Sequence, residues 1–195
     1  MKKIILVFVL FCSFSNLIKA NPLILPKDSL NKPANLHVIF EYQLLRSTHS
    51  TKFKGVNFIF SKSLSVNKSL GLGIEYSYAP FHGDNGYHLY QLNFIPVYLD
   101  FRYHFNQKRL SPFVIVDAGY SFVNYRRELI GFPSSRKRIK EGGIYLQGDF
   151  GLSYKINKDI QPILSVGFKG FHNSFNNLDI NPHGLILRAG VQFNL

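Results

Sequence analysis

From Asn35 onward the chain is written in a two-residue period. In the last twelve residues Leu185, Leu187, Ala189, Val191, Phe193 and Leu195 share one face, and Arg188, Gly190, Gln192 and Asn194 share the other. The same alternation sets Ile95, Val97, Leu99, Phe101, Tyr103 and Phe105 against Tyr98, Asp100, Arg102 and His104. A helical stripe would need apolar residues three and four apart, and no window supplies one. Eight such segments are expected as strands: 35–45, 53–65, 69–78, 87–105, 112–123, 143–156, 160–171 and 184–195. Each has about ten residues or more, twice the usual length of a globular strand.

The connections alternate in length. Those at 67–68, 106–111 and 157–159 are short and polar, and those near 46–52, 79–86, 124–142 and 172–183 are expected to be longer loops. Short turns at one end and long loops at the other predict an all-β, eight-stranded, antiparallel up-and-down barrel that crosses a membrane with its strands. A soluble barrel would need the apolar face inside. The polar face decides against it, because it is rich in glycine (Gly71, Gly73, Gly119, Gly151, Gly167, Gly190) and sparse in charge. Its charges are Glu41, Glu75, Asp100, Asp117 and Asp149 against Arg102, Lys169 and Arg188. That mixture suits a lumen charge network inside a barrel just wide enough for side chains to fill it, with a polar interior.

Composition changes the picture at the front of the chain. Lys2 and Lys3, the apolar run Ile4–Cys12 and a small-residue stretch ending in Ala20 predict a secretory signal peptide over 1–20. Residues 21–34, with three prolines, read as a periplasmic lead-in to a barrel domain over 35–195. Cleavage after Ala20 removes Lys2, Lys3 and Lys19 and leaves a formal charge of +9 out of +12. It also removes the one cysteine and the one methionine, which excludes disulfides and thiolate metal sites from the mature chain. A basic exported chain is expected to meet lipid phosphates, and no nucleic-acid-reading motif is present.

The stretches I-P-V-Y-L-D-F-R-Y-H-F, S-P-F-V-I-V-D-A-G-Y-S-F, G-G-I-Y-L-Q-G-D-F-G-L-S-Y-K-I and the terminal R-A-G-V-Q-F-N-L resemble the small outer-membrane β-barrel domain family, a porin-like type common in Bacteroidetes. The resemblance covers about residues 35–195. It implies residence in the cell outer membrane with both termini periplasmic, and it implies architecture rather than chemistry. The terminal stretch also resembles the signal read by the barrel assembly machinery, with Gly190, Phe193 and Leu195 on its marked positions; Leu195 departs from it, since Phe is commoner there.

Candidate chemistry is thin. G-x-S-x-G, H-E-x-x-H and phosphate-loop motifs are absent, the seven histidines are scattered, and neither cofactor nor metal is expected. His172 and Ser174 share a lipid-facing parity near the long-loop end, and a histidine beside a serine can activate it for ester cleavage. With Asn181 and Gly184 they are similar to outer-membrane lipid A 3-O-deacylases. Phe175 stands where that family has an Asn donor and Ile186 where it has the orienting acid; Glu128 and Asp179 are the nearest spare acids. The densest charge run carries Arg126, Arg127, Arg136, Lys137, Arg138 and Lys140, candidates for contact with lipopolysaccharide phosphates. The expected role is a structural, adhesive or lipopolysaccharide-contacting monomer. Lipid A ester hydrolysis and a narrow pore remain as alternatives.

Overall fold

The computed structural model describes residues 36–48, 51–84, 86–172 and 182–195. The expected signal peptide and lead-in, and Ser174, Phe175, Asp179 and Asn181, lie outside the described residues. The described chain forms eight strands: β1 (Leu36–Ser47), β2 (Lys52–Ser63), β3 (Lys68–Asp84), β4 (Tyr87–His104), β5 (Leu110–Leu129), β6 (Phe132–Tyr154), β7 (Ile160–His172) and β8 (His183–Asn194). They pair in chain order as antiparallel neighbours, and β8 returns to β1, closing the barrel. The seam runs from His37 opposite Asn194 to Ser47 opposite Gly184. Closure matters because an unpaired backbone group in hydrocarbon costs several kcal/mol.

The alternation read from the sequence sorts the two faces. Phe40, Tyr42, Val56, Phe58, Ile74, Val116, Leu146, Phe150, Leu164 and Phe168 point outward and are exposed, while Glu41, Asn57, Glu75, Asp117, Asp149 and Lys169 of the same strands point inward and are buried. That is the inside-out pattern of a membrane-spanning barrel.

Three findings differ from the sequence reading. First, the interior is polar only in part. In β1, β5 and β7 inward-facing apolar residues lie on both sides of the charge: Ile39, Glu41, Leu45; Ile115, Asp117, Val123; Ile163, Lys169, Phe171. β2 places Ile59 and Phe53 about the neutral Asn57 in the same way, whereas β3, β6 and β8 carry Ser69, Ser153 and Gln192 on the side of the termini. The charged layer therefore has a largely apolar layer on the side away from the termini and a mixed one on the other, where Ile39, Ile59, Ile115 and Ile163 share the interior with His37, Ser61, Ser111, Gln161 and Gln192. Aromatic rings fill the layer away from the termini, with Phe94 against Phe171 at 4.8 Å and Phe53 against Phe94 at 5.4 Å.

Second, the expected loops at 79–86 and 124–142 are hairpins. β2 pairs with β3 only as far as Lys54–Tyr78, whereas β3 and β4 stay paired to Asp84–Tyr87. The β6–β7 ladder stops at Ile144–His172, whereas β5 and β6 run on to Leu129–Phe132. Both hairpins end in tight turns at Gly86 (φ 81°) and Gly131 (φ 84°), left-handed positions that glycine fills without steric cost. Strands β3–β6 thus rise past the others as a four-stranded wall. The expected loop at 46–52 shrinks similarly, to the four residues between Ser47 and Lys52.

Third, β4 carries a bulge. Gln91 sits at φ 55° and its carbonyl accepts a hydrogen bond from Asn93 Nδ2 at 2.7 Å. Tyr90 faces Arg126 and Asn93 faces Asn124, so two residues of β4 oppose one of β5. The extra residue flips the inward parity from Leu92 and Phe94 to Leu89.

Gly119 shows how tightly the interior is filled. It lies opposite Tyr98 on one side and Tyr145 on the other, whose rings meet at 5.1 Å. A Cβ there would strike the Val97 carbonyl and the Tyr98 backbone. Replacing Gly119 by Val is expected to destabilise the barrel by about 2 kcal/mol or more, since overpacked cores cost roughly 1–3 kcal/mol and rigid backbone cannot yield. Gly148 faces outward with open space around it, so Gly148→Val should leave the urea midpoint in detergent micelles unchanged while Gly119→Val lowers it.

Candidate functional site

Two assemblies of functional groups stand out, one inside the barrel and one on the wall. The interior one unites all eight residues expected as a lumen network. Glu41 (β1), Glu75 (β3), Asp100 and Arg102 (β4), Asp117 (β5), Asp149 (β6), Lys169 (β7) and Arg188 (β8) all point inward and are buried. Arg188 is the hub. Its guanidinium lies 3.1 Å from Glu41, 3.1 Å from Asp117 and against Asp149, joining β8 to β1, β5 and β6. Arg102 bridges Asp100 of its own strand at 2.9 Å and Glu41 at 2.8 Å. Lys169 Nζ reaches Glu75 and Gln43, each at 2.7 Å, from beneath the Tyr145 ring. Tyr145 donates to Gln147 at 2.7 Å, and Gln147 to Asp149 at 2.9 Å.

Asp100 and Asp117 face each other across the β4–β5 ladder. Two carboxylates so placed repel unless each has its own cation, and Arg102 and Arg188 divide that task. The network has the geometry of a cross-brace, joining β1, β3, β4, β5, β6, β7 and β8 through the lumen.

The exterior assembly is the outward face of the wall, ordered in cross-strand rows. Tyr78, Asn93, Asn124 and Lys140 form one row through successive pairings, and Phe81, Tyr90, Arg126 and Arg138 form the next. Arg138 Nε donates to Asn124 Oδ1 at 2.9 Å, and the Tyr76 hydroxyl to Asn93 Oδ1 at 2.7 Å. Arg136 is ion-paired with Glu128 and stacks over Tyr90 at 4.9 Å. On the opposite face Arg127 stacks over Tyr87 at 5.0 Å, across from Lys137. Burial and the adjacent Glu141 carboxylate hold the Tyr125 hydroxyl above its ordinary range, so it remains the donor to Glu141.

The six cations of 126–140 therefore do not form one patch. Arg126, Arg138 and Lys140 share the outward face, Arg127 and Lys137 the inward one, and Arg136 is tied to Glu128. Sequence reading missed Arg46, Lys52 and Lys54, exposed on the outward face of β1 and β2 and close to the same rim; Lys54 lies opposite Tyr78. Parity could have found them, because they continue the lipid-facing stripe past its last apolar residue.

His172 is outward-facing at the end of β7, opposite Ile144. Ser174 lies outside the described residues, so the pair is not brought together here. Gly184 lies near the start of β8, opposite Lys169 and Ser47, and Ile186 points into the interior. Of the assembly-signal positions, Gly190 faces inward opposite Glu41, Phe193 is outward opposite Val38, and the Leu195 amide donates to the Leu36 carbonyl. Among the described residues no group of three or more His, Asp or Glu is placed to hold a metal ion.

Solved structures with the same architecture are outer-membrane barrels. The chain is similar to a major outer membrane protein from Thermus thermophilus (TM-score 0.63, 10% identity, covering 84% of this chain and 100% of that one). It is also similar to the outer membrane protein OprG from Pseudomonas aeruginosa (TM-score 0.57, 11% identity, 84% and 97%). A third is the N-terminal β-barrel domain of Pseudomonas aeruginosa OprF (TM-score 0.50, 19% identity, 84% and 100%). Identities this low establish the fold and leave the activity open. No protein-family model matches the chain, and no curated protein matches it.

The brace makes a direct prediction. Arg188→Met leaves Glu41, Asp117 and Asp149 without their shared cation, and removing one partner of a buried ion pair costs about 3–5 kcal/mol. Urea unfolding in lipid vesicles should show that loss. Adding Asp117→Asn and Asp149→Asn to the same chain should restore part of it, because fewer uncompensated charges remain.

Proposed function

We propose that this protein is a non-catalytic barrel of the outer membrane, anchored with its termini in the periplasm, whose projecting wall contacts the phosphates of surrounding lipopolysaccharide. The observation that carries the reading is the placement of Arg126, Arg138 and Lys140 on the outward face of the wall, just past the apolar belt. Tyr78, Asn93 and Asn124 lie in the same rows. Arginine forks suit phosphate oxygens, and side-chain amides with aromatic faces suit the sugars that carry them. Arg46, Lys52 and Lys54 extend the cationic stripe around the barrel.

The sequence motifs support kinship with the small outer-membrane barrel family of the Bacteroidetes type. Gly190, Phe193 and Leu195 serve recognition by the barrel assembly machinery, and the folded barrel acts as a monomer. The cross-braced interior argues for a structural or interactional role over a pore.

Three measurements test this. A biotin acceptor peptide inserted after Gly131 should be labelled on intact cells by a reagent that does not cross the outer membrane; labelling only after lysis overturns the orientation. Arg126→Gln, Arg138→Gln and Lys140→Gln together should lower lipopolysaccharide binding by the reconstituted barrel at least tenfold, given about 1 kcal/mol per cation at an anionic surface. Unchanged binding refutes the contact. The wild-type barrel in planar bilayers should show no conductance steps.

A further inference from the structure

The lipopolysaccharide contact uses one face of the wall and leaves its summit unexplained. The β5–β6 turn reads L-I-G-F-P, from Leu129 to Pro133, where a water-exposed hairpin would ordinarily carry Asn-Gly or Asp-Gly. Ile130 is 50% exposed and Phe132 61% exposed. Neither belongs to the barrel's lipid belt. Ile130 stands eight residues beyond Phe122, about 26 Å along the strand at 3.3 Å per residue.

The tip is built rather than loose. Its main chain is tied to the neighbouring hairpin, the Ile130 amide donating to the Gly86 carbonyl at 3.0 Å. The Leu129 amide donates to Ser135 Oγ at 2.9 Å, and that hydroxyl donates to the Phe132 carbonyl at 2.7 Å. Ordering the turn in this way commits hydrogen bonds to holding two apolar side chains in water, an arrangement that points to a partner.

The charge beneath the tip says which kind. Arg126 and Arg138 oppose each other on one face of the hairpin, and Arg127 and Lys137 oppose each other on the other. Glu128 is the sole acid between residues 126 and 140, and Arg136 neutralises it. A groove in a protein partner would meet one face. A flat anionic surface met end-on would meet both faces at once, with the apolar residues leading. An apolar edge above a cationic collar is the amphipathic pattern of a segment that settles into a lipid interface.

We propose that the β5–β6 tip is a lipid-docking finger. It inserts Ile130 and Phe132 into an anionic bilayer apposed to the membrane the barrel spans, with Arg126, Arg127, Lys137 and Arg138 on the headgroup phosphates. The proposal rests on the outward orientation of the wall and not on the lipopolysaccharide contact.

The chain has no tryptophan, so Phe132→Trp gives a single fluorescent reporter. Full-length barrel carrying it, held in phosphatidylcholine nanodiscs free of lipopolysaccharide, is mixed with separate vesicles. With vesicles containing phosphatidylglycerol, the emission should shift to the blue and become protected from acrylamide; with pure phosphatidylcholine vesicles it should do neither. In flotation with the anionic vesicles, Ile130→Ser with Phe132→Ser should weaken binding at least tenfold, because each removes a large apolar side chain from the bilayer. Both substitutions lie at the β5–β6 turn, beyond the lipid belt, and unchanged heat-modifiable migration checks that they leave the barrel folded. An unshifted Trp emission overturns insertion, and so does undiminished flotation of the Ser variant. Because no lipopolysaccharide is present, either outcome leaves the contact proposed for Arg126, Arg138 and Lys140 standing. Loss of lipopolysaccharide binding alone leaves the finger standing.

Discussion

Arg188 is the interaction on which the rest of the barrel turns. It is the last charge in the chain, and it meets carboxylates donated by the first strand, the fifth and the sixth. The contact with Glu41 spans the β8–β1 seam, and those with Asp117 and Asp149 cross the lumen. Buried carboxylates without a cation are among the costliest defects a fold can carry. An open sheet of these strands would leave edges unpaired in lipid and carboxylates uncompensated within. Closure removes both penalties in one step, so the seam and the brace are the same constraint seen from the backbone and from the side chains.

The layering follows from that. An ion pair open to water is worth little, because solvent screens it. Ile39, Ile59, Ile115 and Ile163 on one side, and Leu45, Phe53, Phe94 and Phe171 on the other, flank the charged layer, and its burial strengthens each contact within it. The glycines make this packing possible. Gly119 lets Tyr98 and Tyr145 meet, and Gly190 leaves room for Glu41 beside Arg188.

Where two solvents compete, the sequence was readable. Alternation located eight strands, sorted outward Phe and Leu from inward charge, and placed Arg102, Lys169 and Arg188 on the inner face. Where the competition stopped, it was not. Inside, Phe53, Phe94 and Phe171 share the inward parity with charged residues, and a period-two pattern cannot say that a face is layered along its length. Above the belt the outward face of β5 and β6 meets water and the inner face mixes Glu128, Arg127 and Lys137 with Tyr125 and Ile139, so the pattern of Arg126 to Lys140 carries no apolar stripe and looks like a loop. What settled it as a hairpin was long-range pairing with β4 and the turn at Gly131. Neither leaves a local signature stronger than one glycine. The bulge at Gln91 was hidden for a similar reason, because a parity slip among Tyr90, Leu92 and Asn93 resembles ordinary variation.

What the braced barrel holds up is the wall, whose four strands run 17 to 23 residues against 12 or 13 in the other four. A wall extended by loops would lose its shape to conformational entropy; extended by paired strands, it inherits the rigidity of the braced cylinder below. The bulge belongs to this design. By inserting one residue into β4, it turns Tyr90 outward beside Arg126 and Arg136 and sends Leu89 inward, so the wall keeps a packed inner face while presenting aromatic and cationic groups outside. The Gly86–Ile130 hydrogen bond then ties the two summits together. Position is thereby transmitted from Arg188, deep in the barrel, to Ile130 at the tip through continuous strand pairing. An interaction made at the summit would be anchored in the buried charge network of the barrel.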